Sequence, residues 1–243
     1  MKYAKEFACE YREYIRKFIP SPTLNLVAKK ICERIEKDVG KNGKVLVAGC
    51  GKGGEGISGF SNEFLRKNVF GLDIRETEFT DVIGDIHDMP FDDETFDAVI
   101  CQSTLEHIRN VDTALDEIDR VLVDKGYLYL DVPFLQGYHA LPTDFRRYTA
   151  MGVGKDLLSD HKFETLENGV SKGPTSTVVW IACEYIAFIL CLGNSKARKV
   201  VSVSLRCSLF WLKYVDIVLL YTHGLDKKSM PIPSAVYWYG KIR

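Results

Sequence analysis

A surplus of basic residues is missing from this chain: 32 lysines and arginines face 33 aspartates and glutamates among 243 residues. Nucleic acid, which is held largely through its phosphates, is therefore not an expected partner. Closely spaced cysteines are missing too. The seven (9, 32, 50, 101, 183, 191 and 207) are odd in number and never nearer than eight positions, which excludes a Cys-x-x-Cys motif and disfavours a disulfide framework. The opening MKYAKEFACEYREYIRKF carries charge throughout and lacks the apolar core of a signal peptide. Together these absences predict a reducing, cytoplasmic setting. Repeats and low-complexity tracts do not occur.

What is present is an alternation of strands and helices. Residues 2–18 and 23–38 read as two helices divided by IPSP at 19–22, and they make an N-terminal helical segment over 1–40. From residue 41 to 243 a single domain is expected. VLVAG (45–49), VFGLD (69–73), FDAVICQ (96–102) and YLYLDVPF (127–134) read as buried strands, with a helix over 111–123. Near-continuous apolar strands separated by helical stretches predict a doubly wound, mostly parallel α/β sheet. FETLENGV (163–170) and AVYWYGKI (235–242) are candidates for the last strands. Between them lies an apolar helical insertion at about 175–222, made of stretches 175–192 and 198–221.

The first strand runs into a loop with five glycines in eight positions, 49–56. A phosphate-cradling loop would need glycine where Leu46 stands and serine or threonine where Gly53 stands, so that reading fails. A dinucleotide and S-adenosylmethionine both remain. Asp73 ends the second strand about 20 residues past the loop, where a carboxylate can accept both hydroxyls of a ribose. Asp85, in GDIHDMPF, can accept an adenine amino group while the next backbone N–H meets a ring nitrogen. That pairing reads adenine without a second nucleotide. A hydride-transferring dehydrogenase or epimerase would need a Tyr-x-x-x-Lys pair at the site, and that branch is not favoured.

The order of the glycine loop, Asp73, GD…PF…FD.V, LEH and DEIDRVLVDKGYLYL resembles a class I S-adenosylmethionine-dependent methyltransferase of the type 11 subgroup, over about residues 44–150. The resemblance implies a Rossmann-like sheet of seven strands and S-adenosylmethionine as cofactor. Its cofactor-binding residues here would be Gly49, Cys50, Gly51 and Gly53, then Asp73 and Ile74, Asp85 and Ile86, and Gln102. The chain departs from the family at Val47, where an acid commonly stands.

PFLQGYHALPTDFRRYT (133–149) resembles a run in type 11 methyltransferases associated with surface-polysaccharide and glycan biosynthesis. It implies O-methylation of a glycan or glycolipid precursor. His139, oriented by Asp144, is the candidate base. His107 is a second catalytic candidate, with packing beneath the cofactor as its plainer role. Arg146 and Arg147 either meet an anionic acceptor or pin the loop. A related quinone-methylating group holds a divalent metal with a Glu-x-x-Glu-His run. Ser103 occupies the first of those positions, so no metal is expected. Two alternatives stay open: a quinone-like or other lipophilic small-molecule acceptor, and a non-catalytic cofactor-binding or assembly module, suggested by Val47.

In the insertion, Lys199, Ser202, Arg206, Lys213 and Asp216 fall on one helical stripe, with apolar residues around the rest. Neither stretch makes a comfortable transmembrane span. The helices either pack on the sheet or on a second copy as a homodimer, or they lay a basic-striped face in the membrane interface, on its inner side.

Overall fold

A computed structural model of the chain describes residues 24–52, 56–57, 59–140, 143–223 and 231–243. The helix expected over 2–18 and the proline break after it lie outside the described residues. The next helix, α1 (Ala28–Val39), starts later than its apolar period suggests. Asn25 explains the delay, because its side-chain oxygen accepts the N–H groups of Val27 (3.0 Å) and Ala28 (2.8 Å) and holds the approach in a turn.

Seven strands follow: β1 (Val45–Ala48), β2 (Val69–Asp73), β3 (Val82–Ile83), β4 (Phe96–Gln102), β5 (Leu122–Pro133), β6 (Phe163–Lys172) and β7 (Ala235–Ile242). They form one sheet in the order β3-β2-β1-β4-β5-β7-β6. All pairings from β3 to β5 are parallel, and β7 runs antiparallel to both neighbours. The doubly wound, mostly parallel architecture is thus as expected. Leu46 and Ala48 point into one core with Leu115 and Ile118 of a helix over Val111–Val121, while Val45 and Val47 point into a second core with Ile31 and Ile35 of α1. A strand buried on both faces reads as an unbroken apolar run. Val47 is fully buried, so a carboxylate in its place would need a partner that this core does not offer.

The order of strands reverses between β1 and β4, which makes a crevice at their carboxyl ends. The loops after β1, β2, β4 and β5 all open there. The chain does hold one Tyr-x-x-x-Lys spacing, Tyr237 and Lys241. Both lie on β7, where Tyr237 is 2% exposed and its hydroxyl donates to Glu167 at 2.6 Å. That engagement, inside the sheet, leaves the hydride-transfer branch unsupported.

The insertion corrects the sequence expectation. The stretch 198–221 is not one helix but a helix over Ser195–Ser208, a 3-10 turn over Phe210–Tyr214 and a helix over Val215–His223. Its polar stripe, apart from exposed Lys199, faces inward, not toward a surface. Ser202, Lys213 and Asp216 are 1%, 8% and 0% exposed. Partners for Ser202, Arg206 and Asp216 come from the preceding helix, Pro174–Leu190, while Lys213 lies over the Phe210 and Tyr214 rings of its own turn. Ser202 donates to Glu184, and the Arg206 guanidinium lies 4.9 Å over the Trp180 ring. Asp216 accepts the N–H groups of Thr175 (2.8 Å) and Ser176 (3.3 Å), satisfying the start of that helix. The apolar residues are therefore left outside. Ile181, Tyr185, Phe188, Leu190, Leu192 and Trp211 are each more than half exposed. Among the described residues no helix is long and apolar enough to cross a membrane.

Candidate active site

The glycine loop leaves β1 through Gly49 at φ +79°, a left-handed conformation that disfavours any side chain. A Cβ there would collide with the Thr104 side chain, whose hydroxyl lies 3.3 Å from the Ala48 carbonyl oxygen and so joins the β1 and β4 loops. Gly49→Ala is expected to cost roughly 1–3 kcal/mol of stability through this overlap. Thermal melting checks it, and an unchanged melting temperature would contradict the loop geometry.

Asp73 sits at the end of β2, 7% exposed. Its Oδ2 accepts the Gly51 N–H at 2.9 Å and its Oδ1 accepts the Arg75 N–H at 3.0 Å. Each oxygen keeps a further lone pair, so the carboxylate can hold the glycine loop and still accept a ribose hydroxyl. Ile74 beside it is 56% exposed, an apolar surface at the crevice. The Asp85 side chain is 58% exposed, and its Oδ1 takes the His87 N–H (2.9 Å) and meets the His87 ring (2.6 Å). The His87 bonds hold its carboxyl below the usual range.

Other expected residues contribute less than their side chains promised. The Cys50 thiol is buried against the Phe79 carbonyl oxygen at 3.4 Å, and the Ile86 side chain is part of the core. Gln102 ends β4 and is 6% exposed. Gly53 lies outside the described residues.

The loop after β5 returns across the turn Leu105–His107 and brings His139 to His107, with ring centroids 5.5 Å apart. Glu106 lies beneath both. It is fully buried, and neither carboxylate oxygen has a hydrogen-bond partner. Its Oε1 is 3.7 Å from His107 Nε2 and 3.6 Å from His139 Nε2. The other nitrogen of each ring faces a backbone carbonyl: His107 Nδ1 meets Thr143 O, and His139 Nδ1 meets Gly137 O at 2.8 Å. The Glu106 carboxylate raises the His139 pKa, against the opposing effect of burial.

Asp144 does not orient the His139 ring as expected. Its Oδ2 accepts the His139 backbone N–H at 2.8 Å and an Arg147 N–H at 2.8 Å, whereas ring Nδ1 is 3.8 Å away. Arg147 holds the Asp144 carboxyl down to about 2. The pair fixes the loop, and the Gly137 carbonyl fixes the ring. Arg146 turns outward to the Arg109 carbonyl at 2.8 Å.

Sequence reasoning undervalued Glu106 and missed Trp180. An acid inside the apolar-flanked STLEHI was a signal for the first. Nothing local pointed to Trp180, whose ring centroid lies 5.8 Å from that of His139.

Residues 46–130 match a family model described as a methyltransferase domain. No curated protein matches the chain by sequence. Solved structures of similar fold include the 1,6-didemethyltoxoflavin-N1-methyltransferase of Burkholderia thailandensis, crystallised with 1,6-didemethyltoxoflavin and S-adenosylhomocysteine. It is 11% identical, with 99% of this chain and 87% of that one covered and a TM-score of 0.53. A putative sarcosine dimethylglycine methyltransferase of Galdieria sulphuraria is 13% identical over 87% and 85% of the two chains, at a TM-score of 0.52. The [4+2]-cyclase SpnF is 16% identical over 88% and 80%, at 0.53. At such identities the likeness is one of fold, and the cyclase among them is a reminder that a fold does not name a reaction. The matched segment and the fold agree nevertheless: residues 46–130 match a methyltransferase domain, set in a fold that solved methyltransferases share.

Proposed function

We propose that the protein moves the methyl group of S-adenosylmethionine to a hydroxyl oxygen of a glycan or glycolipid precursor held at a membrane surface. The observation that carries the acceptor part is the contact of Trp180 with His139. Through it, the helical insertion with its apolar exterior packs directly on the loop that bears the candidate base. An acceptor with a lipid tail and a polar head would meet both.

The cofactor would lie across the ends of β1, β2 and β4. Gly49 and Gly51 would leave room for its methionyl end, Asp73 would take the ribose hydroxyls, Ile74 would cover one face of the adenine, and Asp85 would accept its amino group. When bound, S-adenosylmethionine supplies a methyl group on a positively charged sulfur. The chain's own tasks are alignment and acceptance of one proton. With Nδ1–H donated to Gly137 O, the neutral His139 ring presents the lone pair of Nε2, and Glu106 stabilises the positive charge that follows. Arg147 and Asp144 keep the loop in place.

The apolar exterior also favours a second reading, a quinone-like or other lipophilic acceptor. Methyl-labelled S-adenosylmethionine offered with lipid-linked saccharides in one arm and quinols in the other separates the two. Label in the saccharide arm is the expected result; label only in quinols would replace the acceptor.

Membrane contact has its own test. Arg206 and Lys213 face inward, so among the described residues the basic groups beside the apolar exterior are Lys196, Arg198 and Lys199, all exposed. The protein is expected to float with anionic liposomes and not with neutral ones, and Lys196→Glu with Lys199→Glu to release it. A native protein that stays below the vesicles as a dimer would make the apolar exterior a subunit interface.

A further inference from the structure

We infer that Glu106, His107 and His139 bind one divalent first-row cation, zinc foremost, with a position left open for the acceptor oxygen. The use of that open position rests on the methyl-transfer proposal above; the binding of the cation does not.

Buried carboxylates are ordinarily hydrogen-bonded, and Glu106 is fully buried with both oxygens unpartnered. The two atoms aimed at it are imidazole Nε2 atoms. Each ring gives its Nδ1–H to a carbonyl, Thr143 O for His107 and Gly137 O for His139. A neutral ring held this way carries its lone pair on Nε2, the arrangement that metal-bound histidines adopt. Both Nε2 atoms therefore converge on Oε1, and the three residues each offer a ligand atom within 4.8 Å of the others. Without a positive charge among them they repel.

A proton can join only one histidine to the carboxylate. The two Nε2 atoms are nearly equidistant from Oε1, at 3.7 and 3.6 Å, which fits a centre shared by all three. Tetrahedral zinc with bonds of about 2.0–2.1 Å holds its ligand atoms roughly 3.3 Å apart. Closure by a few tenths of an ångström would bring each Nε2 to that separation from Oε1.

The supports of the ligands are themselves fixed. The Thr143 hydroxyl donates to the His107 carbonyl at 2.8 Å, and Arg147 Nη2 donates to Gly137 O at 2.9 Å. Such outer contacts orient metal ligands and are needed for affinity. Two imidazoles and one carboxylate select zinc and its first-row neighbours over magnesium or calcium, and three protein ligands leave a fourth site free. There a cation would acidify a coordinated hydroxyl; because the His139 Nε2 lone pair then binds the cation, the cation would take over the ring's role as base in the loaded protein, and the proton would leave to solvent. The expectation of no metal turned on Ser103 in the local run; the third ligand instead arrives from the loop after β5.

The test is calorimetric titration of the chelator-treated, desalted protein with Zn²⁺. One equivalent per chain is expected. Glu106→Gln, His107→Gln and His139→Gln should each weaken binding by at least about tenfold, the lower end of what losing even an outer contact costs. Melting temperature reports folding of each variant. Because accessible thiols also take zinc, the titration is repeated with the half-buried Cys191 and Cys207 changed, Cys191→Ser and Cys207→Ser, which should leave the site intact. Ligand-field absorption on adding Co²⁺, lost in Glu106→Gln, would support the assignment independently. Absence of zinc binding, or binding unchanged in a folded Glu106→Gln, overturns it. Zinc binding without any S-adenosylhomocysteine binding would sink the methyl-transfer proposal and leave this one standing.

Discussion

Replacing His139 with alanine is expected to lower methyl transfer about 10²–10⁴-fold while S-adenosylhomocysteine still binds. In the proposed reaction the ring serves the proton of the acceptor, not the cofactor: its Nε2 faces Glu106 and it packs tilted against Trp180. Among the described residues, none of its polar or ring contacts is with Asp73, Asp85 or the glycine loop. The side chain is 23% exposed, so truncation enlarges the opening of the crevice more than it hollows a core. Its backbone N–H bond to Asp144 survives the substitution. Turnover within tenfold of the native protein, with acceptor saturating, would remove His139 from the chemistry. A loss of cofactor binding of the same size would show that the loop, not the ring, had been damaged.

Asp73→Ala should weaken S-adenosylhomocysteine binding by roughly 10–100-fold, the equivalent of about 1–3 kcal/mol. Two effects add. The ribose loses a charged acceptor, and the Gly51 and Arg75 N–H groups lose the oxygens that order the first two loops. Asp73→Asn separates them, because its amide oxygen can still accept one loop N–H while the amide nitrogen offers only a donor. An affinity between those of the native protein and Asp73→Ala is expected. Unchanged affinity in both variants, measured by calorimetry on folded protein, would take Asp73 out of the site.

The parts of this molecule legible in its sequence are those with local causes. VFGLD, FDAVICQ and AVYWYGKI are strands over the residues expected, because turn-forming polar residues bound apolar runs that the sheet buries. Gly49 and Asp73 stand where the order of motifs puts them, at the ends of adjacent parallel strands.

What was not legible depends on partners distant in the chain. A helical wheel of 198–221 displays a polar stripe but not which way it faces. Trp180, Glu184 and the start of the preceding helix decide that, and they draw the stripe inward. The same holds for Glu106. Its weight comes from His139, carried back to it by a loop that leaves a different strand. Asp144 shows the opposite error: a spacing that suggested a ring-orienting acid serves a neighbouring arginine and a backbone N–H.

The central claim is that this crevice binds S-adenosylmethionine through Asp73 and Asp85. Calorimetric titration of the protein with S-adenosylhomocysteine tests it most directly, with an inosine-based analogue as the paired ligand. One site per chain is predicted, with clear preference for the adenine-bearing ligand, since the Asp85 carboxylate accepts from an amino group that inosine lacks. Equal binding of the two would refute the role of Asp85, and no binding of either to the folded protein would contradict the account as a whole.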